Sequence, residues 1–111
     1  MNCEDILMEL DDLVHKLDSL MDIMLESTKE VIDLGNVNYE LKNAILKLDS
    51  IIDSMEDSDE RTLLESAKYD VTYATLDIVD NVDIFDKINR LRDAKSIMVD
   101  VKTKLSIDGH L

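Results

Sequence analysis

The stretch Leu7-Met8-Glu9-Leu10-Asp11-Asp12-Leu13-Val14-His15-Lys16-Leu17-Asp18-Ser19-Leu20-Met21-Asp22-Ile23-Met24, residues 7–24, decides the fold. Leu10, Leu17 and Met24 recur every seven residues, Leu13 and Leu20 form a second row, and Leu7, Val14 and Met21 stand beside them. At about 3.6 residues per turn these positions share one side of an α-helix, an apolar stripe of coiled-coil character about three positions wide. The opposite side carries Glu4, Asp5, Asp11, Asp12, Asp18, Asp22, Glu26 and Asp33. One helix thus has a side that must be buried in a core and a side that must not.

Outward from this stretch the rows continue through Val31 and Leu34, and Asn2 with Asp5 three residues on has the form of an N-cap. The first helix is therefore predicted over Asn2 to Leu34, about 50 Å long at roughly 1.5 Å per residue. Gly35 is expected to stop it in the left-handed conformation, with Asn36 and Asn38 forming the turn and capping the next helix. A second helix is predicted from Asn38 to Glu56 on Leu41, Leu48 and Met55, with Ala44, Ile45, Ile51 and Ile52 beside them. Lys47 to Met55 echoes Lys16 to Met24, matching at six of nine positions, by duplication or by convergence on the same apolar pattern.

Asp57 and Glu60 are expected to form an acidic capping box opening a third helix, whose stripe Leu64, Ala67, Val71, Ala74, Ile78 is thin in large side chains. Asn81-Val82-Asp83 then breaks the pattern. The Ile78 row would continue to Phe85, whereas the last helix reads as Ile84, Leu91, Met98 and Leu105 with Ile88, Ala94 and Val101, a slip of one residue. Asp83 and Asp86 are placed to cap that helix. Because neither Pro nor Gly interrupts the region, one long bent helix is the alternative to two. Gly109 is expected to end it. The fold class is all-α, an antiparallel bundle of four helices in one domain, residues 1–111, with coiled-coil-like packing.

Composition narrows function. With 26 acidic and 12 basic residues the net charge is −14, so direct binding to nucleic acid or to an anionic membrane meets long-range repulsion, and a basic protein is the complementary partner. A hydrophobic fraction of 45% is too high for a disordered acidic tail. Cys3, the only cysteine, excludes an intramolecular disulfide and lies seven residues before Leu10, where a packed thiol is expected. The start has no basic region followed by an apolar one, and no apolar run nears the ~18 residues of a membrane span, so an intracellular, cytoplasmic protein is expected. Residues 1–34 hold ten acids and two bases, but residues 83–111 hold five acids and six bases, which favours packing of the last helix beside the first. Asp83 with Lys87, Asp86 with Arg90 and Asp100 with Lys104 are also spaced to pair along that helix.

Catalytic patterns are weak. Glu9-x-x-Asp12 and Asp77-x-x-Asp80 have a spacing suited to magnesium but flank or oppose the stripes, and Asp12-x-x-His15 is a lone, imperfect version of a di-iron motif. There is no phosphate loop, no complete EF-hand and no nucleophile with a base, so a non-enzymatic protein without metal or cofactor is expected. Two surface features are left. Tyr69 and Tyr73 lie four apart and off the stripe, in position for an exposed aromatic pair or for covering the Ala-rich core. Glu4, Asp11 and Asp18 recur about 10.5 Å apart on the first helix, with Asp5, Asp12, Asp22 and Glu26 alongside. Such a run is ordinarily a solvated face. The sharper expectation is an inhibitor of phage or mobile-element type, whose carboxylates stand in for phosphates and block the basic surface of a nucleic-acid-binding protein, with Asp11, Asp12, Asp18, Asp22, Glu26, Tyr69 and Tyr73 as partner-binding residues. The alternative is a scaffold or adaptor that forms a helical homodimer through its seams.

Overall fold

The computed structural model describes residues 1–76, 78 and 83–108. It contains α1 (Cys3–Glu26), α2 (Gly35–Ser54), α3 (Asp59–Ala74) and α4 (Ile84–Asp108), with no strand among the described residues. Each helix packs on its neighbours in the chain and α4 closes against α1, giving an antiparallel ring of 46 × 19 × 18 Å. Every helix turns its stripe inward. Leu10, Leu17, Met24, Leu41, Leu48, Leu64, Ala67, Val71, Ala74, Leu91, Ala94 and Met98 are fully or almost fully buried in one continuous core. Each large side chain so buried contributes about 1.5–3 kcal/mol, which is what closes the ring. The slip before α4 is real: Ile84 is buried and Phe85 exposed.

Asn2 caps α1 as expected, its side chain accepting the Asp5 N–H at 2.8 Å, but other helix ends differ from the sequence expectation. Instead of reaching Leu34, α1 ends at Glu26, where the Ser27 and Thr28 hydroxyls donate to the carbonyls of Met24 (2.5 Å) and Leu25 (2.7 Å). These hydroxyls compete for the acceptors that would continue the helix, and tight backbone bonds from Thr28 to Leu25 and Lys29 to Glu26 turn the chain. Val31, in the apolar row by sequence, is fully exposed, while Leu34 is buried from the connection rather than from a helix. Gly35 is not a left-handed stop. It opens α2 with φ outside the positive range, and its N–H donates to the Asp33 carboxylate at 2.9 Å. Asn36 and Asn38 therefore lie inside α2.

The α3 cap is Ser58, whose hydroxyl accepts from the Arg61 N–H at 3.2 Å, and not the Asp57–Glu60 box. Helices α3 and α4 are two elements, not one bent helix. Asp83 precedes α4 at φ 51, a left-handed conformation that Asp tolerates better than most residues, and its carbonyl accepts the Lys87 N–H. Asp86 does not complete a cap but bonds to α3, as described below. Asp77, Asp80, Asn81, Val82 and Gly109, which carried sequence expectations, lie outside the described residues.

The sequence echo acquires a geometric meaning. Glu9 of α1 pairs with Lys47 of α2 at 3.0 Å, and Lys16 of α1 pairs with Glu40 of α2 at 2.8 Å. Exchanging the corresponding residues of the two helices, Glu9 with Glu40 and Lys16 with Lys47, turns one pair into the other. The outer helices obey the same exchange: Leu64, Ala67 and Lys68 of α3 correspond to Leu91, Ala94 and Lys95 of α4. Asp18 of α1 pairs with Lys95 (2.7 Å), and its counterpart Asp49 of α2 pairs with Lys68. The bundle thus has an approximate two-fold relation swapping α1 with α2 and α3 with α4.

Candidate functional site

The first question for an acidic surface is which carboxylates the fold already uses. On α1 the anionic side divides between two seams. Asp11 meets Lys102 at 2.5 Å and Asp18 meets Lys95, both on α4, so each is half-buried along that seam. The hydrogen bond from Lys102 holds the Asp11 carboxyl below its ordinary value of 3.8, with His15 adding a smaller pull at 3.7 Å. Glu9 faces the other seam, toward Lys47 of α2. The expected attraction between the last helix and the first is therefore present, and it removes Asp11 and Asp18 from the regular Glu4, Asp11, Asp18 row. Asp12, Asp22 and Glu26 stay exposed, although Glu26 has Lys29 at 3.8 Å.

The tyrosines separate in the same way. Tyr69 is exposed and lines a groove between α2 and α3 with Asp49, Ile52, Arg61 and Lys68. Tyr73 turns to α4: its hydroxyl donates to Asp86 at 2.7 Å, and its ring lies under Lys87 (4.2 Å) and Arg90 (4.5 Å). The acceptor Asp86 raises the phenol above its ordinary value by favouring the protonated form. Arg90 also donates to the buried Asp70 at 3.2 Å, which raises the guanidinium further, and Lys87 is itself buried. These cations turn to α3 through a polar cluster that sequence spacing, with its pairs along α4, did not anticipate. Since α3 stands across the ring from α1, Tyr69 and the exposed α1 acids cannot share one flat surface.

Two other depressions lie among the described residues. A shallow one of about 230 Å³ lies on the α1–α2 seam, where Ala44 stands at the position corresponding to Leu13 and leaves space between the paired lysines. A larger groove of about 610 Å³ opens at the end of the bundle where α1 begins and α2 ends, lined by Cys3, Ile6, Met55, Leu105, Glu56 and Glu60. Cys3 is half-buried there, with its thiol 3.8 Å from the Leu105 carbonyl. Among the described residues no three His, Cys, Asp or Glu side chains are grouped to hold a metal ion, and no helix is long and apolar enough to cross a membrane. His15 is exposed on α1, its Nδ1 2.8 Å from the Asp11 carbonyl. Compared with known proteins, the chain matches no family model, no curated protein and no solved structure.

Proposed function

We propose that this chain is a non-enzymatic, cytoplasmic protein-binding module whose acidic surface takes a basic partner, in its most concrete form an inhibitor that covers the nucleic-acid-binding surface of that partner, as phage and mobile-element proteins do. One observation supports this reading. Of the twelve bases the fold turns six to its seams: Lys16, Lys47, Lys68, Arg90, Lys95 and Lys102 each meet a carboxylate of another helix, while much of the acidic excess faces outward. Ion pairs of this exposure are worth about 0–1 kcal/mol each, so they fix the register of the bundle more than its stability. The working acids are Asp12, Asp22 and Glu26 on α1, with Asp11 and Asp18 serving the seam with α4.

The test is capture of partners from a host lysate followed by competition with DNA or RNA. A nucleic-acid-binding protein that polynucleotide displaces, by a binding that weakens steeply with salt, is the expected result. A partner indifferent to nucleic acid sinks the mimicry. Reversing Asp12, Asp22 and Glu26 together to Lys should abolish capture without loss of helicity; capture that survives makes this side a solvated face only.

A further inference from the structure

The two-fold relation makes the open end of the bundle comparable with the closed one. At the closed end Met24, Leu34, Val37 and Ile78 are buried, and the connection of residues 27–34 brings Leu34 into the core and packs Ile32 against it. Their counterparts at the open end are Met55, Cys3, Ile6 and Leu105. Of these only Ile6 is buried; Met55, Cys3 and Leu105 are half-exposed along the groove of about 610 Å³. The physical cause is the length of the connections. Eight residues join α1 to α2, whereas Met55, Glu56, Asp57 and Ser58 suffice to join α2 to α3, so among the described residues no connection lies across the end.

The rim defines what would fit. Glu56 and Glu60 line the groove, and Glu4, Asp5, Asp53, Asp57 and Asp59 lie on the adjoining turns. The acids of the first turns of α1 and α3 favour those helix N-termini. Asp53, Glu56 and Asp57 do the opposite, because they stand at the C-terminus of α2, which has no base in its last turn. Carboxylates placed against a helix dipole are relieved by an added cation. The neighbouring bases, Lys104 on α4 and Arg61 beside Glu65 on α3, leave the rim strongly anionic.

We infer that the groove between Cys3, Ile6, Met55 and Leu105 is a docking site for a segment of a partner protein that carries one or two aliphatic anchors flanked by Lys or Arg. The anchors take the place that Ile32 and Leu34 take at the closed end, and the flanking cations meet Glu56, Glu60 and Asp57. This deepens the basic-partner reading and rests on it.

The probe is a short synthetic peptide of Lys and Ser carrying an Ile-x-Leu pair, with a twin in which both aliphatic residues are Ser. Titration of the intact protein, followed by methyl chemical shifts of Ile6, Met55 and Leu105 and by the rate at which a maleimide alkylates Cys3, should show the aliphatic peptide shifting these methyls and shielding the thiol. It should bind on the order of ten- to a hundredfold more tightly than its twin, the yield of burying an aliphatic side chain or two. Glu56→Lys with Glu60→Lys should weaken both peptides, and Met55→Ser should bring the aliphatic peptide to the level of its twin, with helicity checked in each. Binding that leaves the three methyls and Cys3 unchanged overturns the groove but leaves the basic-partner reading standing. Failure of both peptides to bind anywhere removes both. A dimer in the free protein that shields Cys3, or peptide binding that strengthens on deletion of residues 109–111, gives the groove to another occupant and overturns the proposal.

Discussion

Single side chains here change role according to the helix they meet. Tyr73 was legible as a surface aromatic four residues from Tyr69, but its hydroxyl is tied to Asp86 and its ring lies under two cations. A titration of phenolate absorbance should show one tyrosine ionising above 10.0, a late step absent from Tyr73→Phe. A phenol whose value is raised by folding adds stability below its ordinary value and loses it as pH rises through the raised one, so Tyr73→Phe should narrow its stability gap from the unsubstituted chain in strong base. Asp11 has the opposite sign. Its carboxyl is lowered by the Lys102 hydrogen bond, so its contribution is present above 3.8 and lost as pH falls through the lowered value. The stability difference between the chain and Asp11→Asn, followed by denaturant unfolding at each pH, should therefore be largest near neutrality and close in acid. A gap that does not change with pH would show that the pair adds nothing.

At the scale of elements, heptad rows located every stripe but not every end. The stripe is read from many residues at once, whereas an end depends on one or two hydrogen bonds. Ser27 and Thr28 sit within an apolar row that continues to Val31 and Leu34, and only their back-bonds to Met24 and Leu25 show that the helix has finished. The same holds for caps. Ser58→Ala should destabilise the protein by about 1 kcal/mol and Asp57→Ala by only a few tenths, the reverse of what an Asp57 cap requires. Gly35 gives a sharper contrast. If it were a left-handed stop, Ala would cost more than about 1 kcal/mol. In its place at the start of α2, Ala should be neutral or stabilise by roughly 0.5 kcal/mol. The added Cβ would meet only the exposed Asp33 carboxylate, at 3.1 Å, which a small side-chain shift relieves. Thermal unfolding of Gly35→Ala decides between them.

For the whole molecule, the net charge of −14 acts on folding and on binding in opposite senses. Added salt screens the mutual repulsion of the outward acids, so the melting temperature should rise over the range in which affinity for a basic partner falls. Melting temperature that falls along with affinity would mean that the seam pairs outweigh the repulsion. The sequence by itself determined the all-α class, the amphipathic stripes, the one-residue slip before Ile84 and the placing of the basic α4 beside the acidic α1, because apolar periodicity and segment charge are local sums that a chain carries unfolded. Only the tertiary structure decided that Asp11, Asp18 and Tyr73 belong to seams, that Tyr69 stands across the ring from the acids of α1, and that no connection among the described residues covers one end of the bundle. Each depends on which helix lies opposite and at what register, and a stripe of Leu and Ile, being non-directional, leaves both to the folded ring.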